Sequence, residues 1–538
     1  MTSGPMLLDW DPPSDRRSPP RVPAAPPVPT EDEVDGRFTH GGSQGDEDIF
    51  DDVQVVAQER PTGNFFRDWG VNPTIATREN AVSTFAVDVD SASFSMARSM
   101  LDRRQIPEPM AIRVEEFVNA FDYAYSAPEN EPFRVQAEVF PSPNRRGYHV
   151  LHLGIKAREI DNEERKPVNL VFVIDVSGSM SGSNRLGLVK RSLAMLVDQL
   201  DGRDSVAIVT YGSSARTQLP PTRVSSRGRD RLHGVIATLS VEGSTNAQAG
   251  LELGYQLAAR HRQRNAVNRV VLCSDGVANV GLTSAEALLS RVAREAESGV
   301  TITTAGFGLG SYNDNLMEQL ADRGNGNYAY IDSADEARRV FVDQLRGTLE
   351  VVAKDVKIQM TFDSNVVERY RLLGFENRML ARQDFDNDRV DAGEIGAGHT
   401  VTAIYEIRLR ENARAANFGT LRVRHKAPNG TRSRLTERRL PMSIVRGSYD
   451  AASAPTQLSM VAAGLAEKLR DSYWARNLSY SDLLRMWNQI PDGLREREDV
   501  RELGNMIRTA QSLDNRSDRF AQYVPVDRMD FDRVPVIR

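Results

Sequence analysis

A chain of 538 residues exceeds one ordinary core, since domains cluster near roughly 100–200 residues, so about three or four are expected. Hydrophobic residues make up 40% and charged residues 26%, and no apolar run approaches the roughly 18 residues of a membrane span, which excludes a transmembrane helix. One cysteine, Cys273, excludes an internal disulfide and a thiolate zinc site. Residues 1–60 carry 13 acidic and five basic side chains, which leaves +2 of the net −6 on residues 61–538 and gives no basic footprint for nucleic acid.

The first segment, residues 1–72, reads as a disordered Pro-rich and acidic linker. Nine of the 26 prolines fall in its first 30 residues and an acidic run spans Asp46 to Asp52, a composition that cannot bury enough apolar surface to offset chain entropy. Its first residues show neither the basic start nor the apolar stretch of a secretion signal. Residues 73–132 include STFAVDVDSASFSMARSML from Ser83, where alternation gives way to an Asp/Ser turn and a helical pattern, so Asp88 and Asp90 are expected at a strand end before a helix N-cap. Residues 133–166 hold two strands, FRVQAEVF and HVLHLGIKA, joined by a turn.

Over residues 167–350 strands alternate with amphipathic helices. The strands are Asn169 to Asp175, Ser205 to Tyr211, Arg269 to Ser274, Thr301 to Phe307 and Tyr328 to Ile331. Runs such as LVFVID are apolar on both faces, which marks an α/β unit with a doubly wound, mostly parallel sheet. Residues 351–450 return to period-two strands, and 451–538 turn helical with Trp474, Leu483, Trp487 and Ile507 on apolar faces. Because β texture flanks the α/β unit on both sides, the expected fold class is that unit inserted in a β-sandwich, followed by a small helical region.

The first strand of the insertion ends in Asp175, Val176, Ser177, Gly178, Ser179, at the carboxyl end where open α/β sheets bind ligands. Thr245 in GSTN and Asp275 in CSDG sit at later loop and strand ends. Two carboxylates and three hydroxyls, without His or Cys, suit a hard cation, Mg²⁺ first and Mn²⁺ or Ca²⁺ next. Two carboxylates only just neutralise such an ion, so an Asp or Glu from a partner protein can complete the shell.

This constellation resembles the metal-ion-dependent adhesion site of the von Willebrand factor type A (VWA) domain, an Asp-x-Ser-x-Ser loop followed by a distant Thr and a distant Asp. The resemblance covers about Pro167 to Gly347. It implies that Asp175, Ser177, Ser179, Thr245 and Asp275 are metal ligands and that the domain binds protein rather than catalysing. The flanks, STFAVDVDSASFSMARSML and RVEEFVNAFDY before it and YRLLGFENR after it, resemble the bacterial YfbK-like family of VWA proteins. That family implies an extracytoplasmic place in the cell envelope, although this sequence lacks a lipid-carrying cysteine near its start.

Each feature also has a plainer reading. Ser177 and Ser179 could simply cap the following helix. Gly306 to Ser311 has part of a dinucleotide fingerprint but no third glycine, and reads as a loop. The acids Asp384, Asp386, Asp388, Asp391 and Glu394 lack the glycine of a calcium loop and read as a solvated hairpin, with a second cation site as the alternative. No HExxH or GxSxG pattern occurs, the histidines read as structural, and Cys273 reads as a buried small hydrophobe. A role as an envelope assembly factor, with the metal only steadying a loop, is the alternative function.

Overall fold

The chain starts a β-sandwich, leaves it for an α/β insertion, and returns to finish it. The computed structural model describes residues 6–7 and 66–521, apart from 161–164, 277–281, 310–311, 344–346, 348, 391, 412, 414 and 429. The expected disordered linker therefore falls almost wholly outside the described residues. Its last part is fastened to the body: Phe66 is buried, Asn72 Nδ2 donates to Gly374 O at 2.7 Å, and Trp474 Nε1 donates to Asn72 O. The folded body thus begins before residue 73, because Phe66 packs an apolar ring that the linker composition concealed.

In chain order the first elements are β1 (Val82–Ala86), α1 (Ala92–Asp102), α2 (Val114–Asn119), β2 (Phe133–Pro141) and β3 (His149–Ala157). The insertion follows with β4 (Val168–Asp175), α3 (Leu186–Gln199), β5 (Ser205–Tyr211), β6 (Ala215–Arg223), α4 (Ser226–Thr238), α5 (Ala247–Arg260), β7 (Val267–Ser274), α6 (Leu282–Glu297), β8 (Thr301–Phe307), α7 (Asp314–Arg323), β9 (Tyr328–Ile331) and α8 (Ala334–Arg338). Then come β10 (Val351–Phe362), β11 (Val367–Leu373), β12 (Thr400–Leu409), β13 (Asn417–Lys426) and β14 (Ser433–Pro441), and finally α9 (Ala454–Leu469), α10 (Tyr480–Gln489) and α11 (Glu498–Leu513).

One sandwich sheet runs β2-β3-β12-β11 and the other β14-β13-β10-β1, all antiparallel. β3 pairs along its length with β12, from Thr400 opposite Lys156 to Ile407 opposite His149, so the strands before the insertion complete the sheet formed after it. Phe85, Ile358 and Leu421 from one sheet meet Leu153, Tyr370 and Tyr405 from the other in one core. β1 pairs with Lys357 to Thr361 of β10, so it too belongs to the sandwich.

The insertion carries a six-stranded sheet in the order β9-β8-β7-β4-β5-β6, parallel except at β6. Every residue of central β4 is buried, as expected for a strand covered by helices on both faces. β6 and α4 were not legible in the sequence. β6, ARTQLPPTR, is a mostly exposed antiparallel edge with two prolines, which only an edge strand tolerates.

The helical layer departs from the segment-by-segment expectation. α1 and α2 share one apolar core with α9, α10 and α11: Phe94, Phe117, Leu465, Leu483 and Ile507 lie in the same cluster. Buried arginines tie this layer, the sandwich and the insertion together. Arg98 of α1 reaches Asp332 at 2.5 Å and Glu502 of α11 at 2.8 Å, and Arg371 of β11 reaches Glu406 at 2.9 Å and Glu467 of α9 at 3.2 Å. No helix among the described residues is long and apolar enough to cross a membrane.

Candidate functional site

Asp175 closes β4 at the carboxyl edge of the parallel sheet and is fully buried. Its Oδ1 accepts the backbone N–H of Ser177 at 2.9 Å and the Ser177 hydroxyl at 2.6 Å, while Oδ2 accepts the hydroxyl of Ser274 at 3.0 Å. Ser177 Oγ lies 3.0 Å from Ser179 Oγ, and Ser179 Oγ donates to Asp275 Oδ1 at 3.1 Å. Four of the five expected residues therefore form one chain of oxygens, from a buried floor at Asp175 to an exposed mouth at Ser179. Neither serine side chain caps a helix: the short turn Gly178–Met180 has no side-chain cap bond from Ser177, and α3 begins only at Leu186.

The facing wall is the loop before α5. Glu242 N–H donates to Val176 O at 2.5 Å and Gly178 N–H to Gly243 O at 3.1 Å, so the two loops are clasped backbone to backbone. Asn246 caps α5 by accepting from Ala249 N–H, which sets Thr245 immediately before the helix. Thr245 is half-buried, and among the described residues no hydrogen bond joins it to the other four.

Two carboxylates share this small volume, and the electrostatics respond. Burial, followed by the charge of Asp175, pushes the carboxyl of Asp275 up to about 6; burial also raises that of Asp175. Arg185 gives partial relief. Its Nη1 lies 3.9 Å from Asp275 Oδ2 and donates to Ser179 O, and its Nη2 donates to Leu309 O at 3.0 Å. Gly308, at φ +75°, leaves room for that guanidinium, since a Cβ there would lie 2.5 Å from Arg185 Nε. The glycine-rich loop after β8 thus serves Arg185.

Comparison with known proteins agrees with this geometry at the level of the fold. A model of the von Willebrand factor type A domain matches residues 169–344, one for the C-terminal region of the uncharacterized protein YfbK matches 347–513, and one described as von Willebrand factor matches 60–152. The uncharacterized protein YfbK of Escherichia coli K12 is 36% identical over 448 residues, covering 78% of this chain and 76% of that relative. The chain belongs to the YfbK-like family of VWA proteins. The human inter-alpha-trypsin inhibitor heavy chain H4 is 31% identical over 218 residues, 38% of this chain and 22% of that protein. A solved von Willebrand factor type A protein from Catenulispora acidiphila covers 70% of this chain and 89% of its own, at 15% identity and a TM-score of 0.40.

A second acidic cluster was not legible in the VWA motif. Asp88, Glu116 and Glu318 bring carboxylate oxygens within 4.8 Å of one another at the junction of the VWA insertion with the rest of the chain. Arg378 Nε holds Asp88 at 2.9 Å, and Arg113 holds Glu116 at 2.6 Å and Glu318 at 2.9 Å. Asp88 and Asp90 lie between β1 and Ser91, the N-cap of α1, as expected, but their carboxylates serve contacts elsewhere. Asp88 Oδ1 accepts the N–H of Asp90 at 3.0 Å, and Asp90 Oδ1 accepts the N–H of Tyr328 in β9 at 3.1 Å. The sequence could not pair acids with arginines more than two hundred residues away.

The remaining features have structural partners. Asp386 and Asp388 meet Arg424 at 2.9 and 2.8 Å, so the hairpin acids already hold a cation of the chain; Asp391 lies outside the described residues. His152 Nε2 lies 3.0 Å from the Tyr125 hydroxyl, and burial lowers its ring to about 3. Burial pushes the Cys273 thiol up to about 12, which leaves it inert.

Proposed function

We propose that the VWA insertion is a non-enzymatic protein-binding module in which Asp175, Ser177, Ser179, Thr245 and Asp275 hold a divalent cation, and that an Asp or Glu of a partner protein completes its shell. One observation carries the reading. Two buried carboxylates face one another through two serine hydroxyls, both shifted toward protonation, with Arg185 at 3.9 Å as the neighbouring cationic group. A divalent cation at the same place would offset that repulsion. Ser177 and Ser179 supply neutral oxygens at its side, Asp275 and Thr245 flank the mouth, and Asp175 orients Ser177 through its two hydrogen bonds. Hard oxygen donors favour Mg²⁺, with Mn²⁺ and Ca²⁺ next. The bound ion would supply Lewis acidity toward an incoming carboxylate, and no general base is bonded to the five residues among those described.

Isothermal titration with Mg²⁺ and Mn²⁺ tests this on wild type, Asp175→Ala and the double variant Ser177→Ala/Ser179→Ala. Saturable one-site binding in the wild type alone is expected. Equal binding in the Asp175→Ala protein would remove the assignment.

The complete hydrogen-bond chain from Asp175 to Asp275 favours one second reading, an envelope assembly factor in which the ion only stiffens the loop. Under it, EDTA lowers the thermal midpoint while partner binding persists.

A further inference from the structure

The hairpin of β13 and β14 departs from the charge of the body. Residues 417–446 hold eight Lys or Arg against one acid, Glu437, in a body whose net charge is +2. Part of that charge is matched locally: Arg422 meets Glu437 at 2.8 Å, Arg424 meets the 386–388 loop, and Lys426 meets Asp355 at 2.8 Å. Arg432, Arg434 and Arg439 are exposed and have no acidic partner among the described residues.

Arg434 and Arg439 lie on a sheet edge, and Arg432 immediately precedes it. β14 pairs with β13 from Asn417 opposite Pro441 to Lys426 opposite Ser433, and no other strand borders it among the described residues. Its outer N–H and C=O groups are a template for another strand. Charge on an edge can also serve only to prevent aggregation. Leu435 argues against that here, since it is 56% exposed near the start of β14, where protection alone would favour a polar residue. A second copy of β14 is excluded as occupant by its own like charge. A flat anionic membrane fits poorly, because side chains alternate along a strand and Arg434 and Arg439 fall on opposite faces.

We propose that β14 is a docking edge for an extended acidic segment of a partner protein, which adds to the sheet as a further strand. The backbone supplies the pairing, arginines on both faces take carboxylates in bidentate geometry, and Leu435 meets an apolar residue of the incoming strand. This surface lies on the sandwich, apart from the cation site.

The test is fluorescence anisotropy of the full chain with a labelled peptide of about ten residues repeating Glu-Glu-Val-Val, which carries carboxylates on both faces of a strand and matches the nine-residue β14. An equally charged peptide with Pro in place of each Val loses backbone donors on both edges of the strand. Saturable binding of the Glu–Val peptide, unchanged by EDTA and at least about tenfold weaker for the Glu–Pro peptide, is the expected result. The variant Arg432→Glu/Arg434→Glu/Arg439→Glu should lose at least about tenfold in affinity at an unchanged thermal midpoint. Equal affinity for the two peptides, no binding, undiminished binding by the variant, or binding only to phosphatidylglycerol vesicles would each overturn the proposal.

Discussion

Asp175 and Glu115 are both buried carboxylates, yet their surroundings differ. Asp175 is surrounded by hydroxyls and opens through Ser179 toward solvent, so a cation can reach it. In the metal-free protein Asp175→Asn removes part of the repulsion on Asp275, and its thermal midpoint should equal or exceed that of wild type. Mg²⁺ at a hundredfold its Kd should then raise only the wild-type midpoint, through a stabilisation of roughly 2.7 kcal/mol. A midpoint rise of the same size in Asp175→Asn would contradict the site. Glu115 has no such outlet: its Oε2 is buried without a hydrogen-bond partner, and burial, followed by the charges of Glu376, Asp88 and Glu116, raises its carboxyl from 4.5 to about 8. The folded state therefore holds this proton more tightly than the unfolded chain does. The associated stability is fully present below about pH 4.5 and is lost as pH rises through about 8. Glu115→Gln removes this dependence, so the stability of the variant relative to wild type should climb between pH 5 and 9, which denaturant melts across that range would measure. A constant difference would mean that Glu115 is not protonated in the fold.

At the scale of elements, α5 decides where Thr245 stands, because Thr245 immediately precedes its N-cap. Two glycines one turn apart let this helix approach the sheet. A Cβ on Gly250 would lie 2.5 Å from Tyr211 Cδ1, and one on Gly254 would lie 2.4 Å from Val173 Cγ2. Gly250→Val must push α5 outward, at a cost of about 1–3 kcal/mol for overpacking. It should also weaken Mg²⁺ several-fold by drawing Thr245 from the loop of Ser177, whereas Gly234→Ala on α4, where a Cβ meets nothing within 4 Å, should change neither. Titration and melts on both variants read this out. The same elements explain what the sequence could convey. Buried parallel strands such as VNLVFVID announce themselves by continuous apolar residues, and the loop after β4 carries its donors within five positions. β6 stayed hidden because an exposed edge needs no apolar pattern. Arg185 stayed hidden because its role depends on the space at Gly308, and Ser274 because a hydroxyl beside Asp275 has no signature until the strands are aligned.

For the whole molecule the main question is what holds three modules in one arrangement. Apolar periodicity made α1 and α2 legible as helices but could not name α9, α10 and α11 as their partners, since any apolar face can pack on any other. Specificity comes from the buried arginines. Arg113, between α2 and the preceding turn, is 6% exposed and meets Glu116, Asp314 and Glu318, the last two on α7 of the VWA insertion. Arg378 reaches Asp88, Asp322 and, at 3.5 Å, the same Glu318. Removing one partner of a buried ion pair leaves its counter-charge desolvated, so Arg113→Ala should lose about 3–5 kcal/mol. Arg485→Ala, whose side chain is 71% exposed beside Asp482, should lose less than about 1 kcal/mol. Because Arg113 and Arg378 share Glu318, their effects should not add: once Arg113 is gone, part of the network that Arg378 serves is already broken, and a double-mutant cycle should give a coupling of about 0.5–3 kcal/mol. Denaturant melts of the two single variants and the double variant measure it. Strict additivity would mean that the two arginines act at separate contacts.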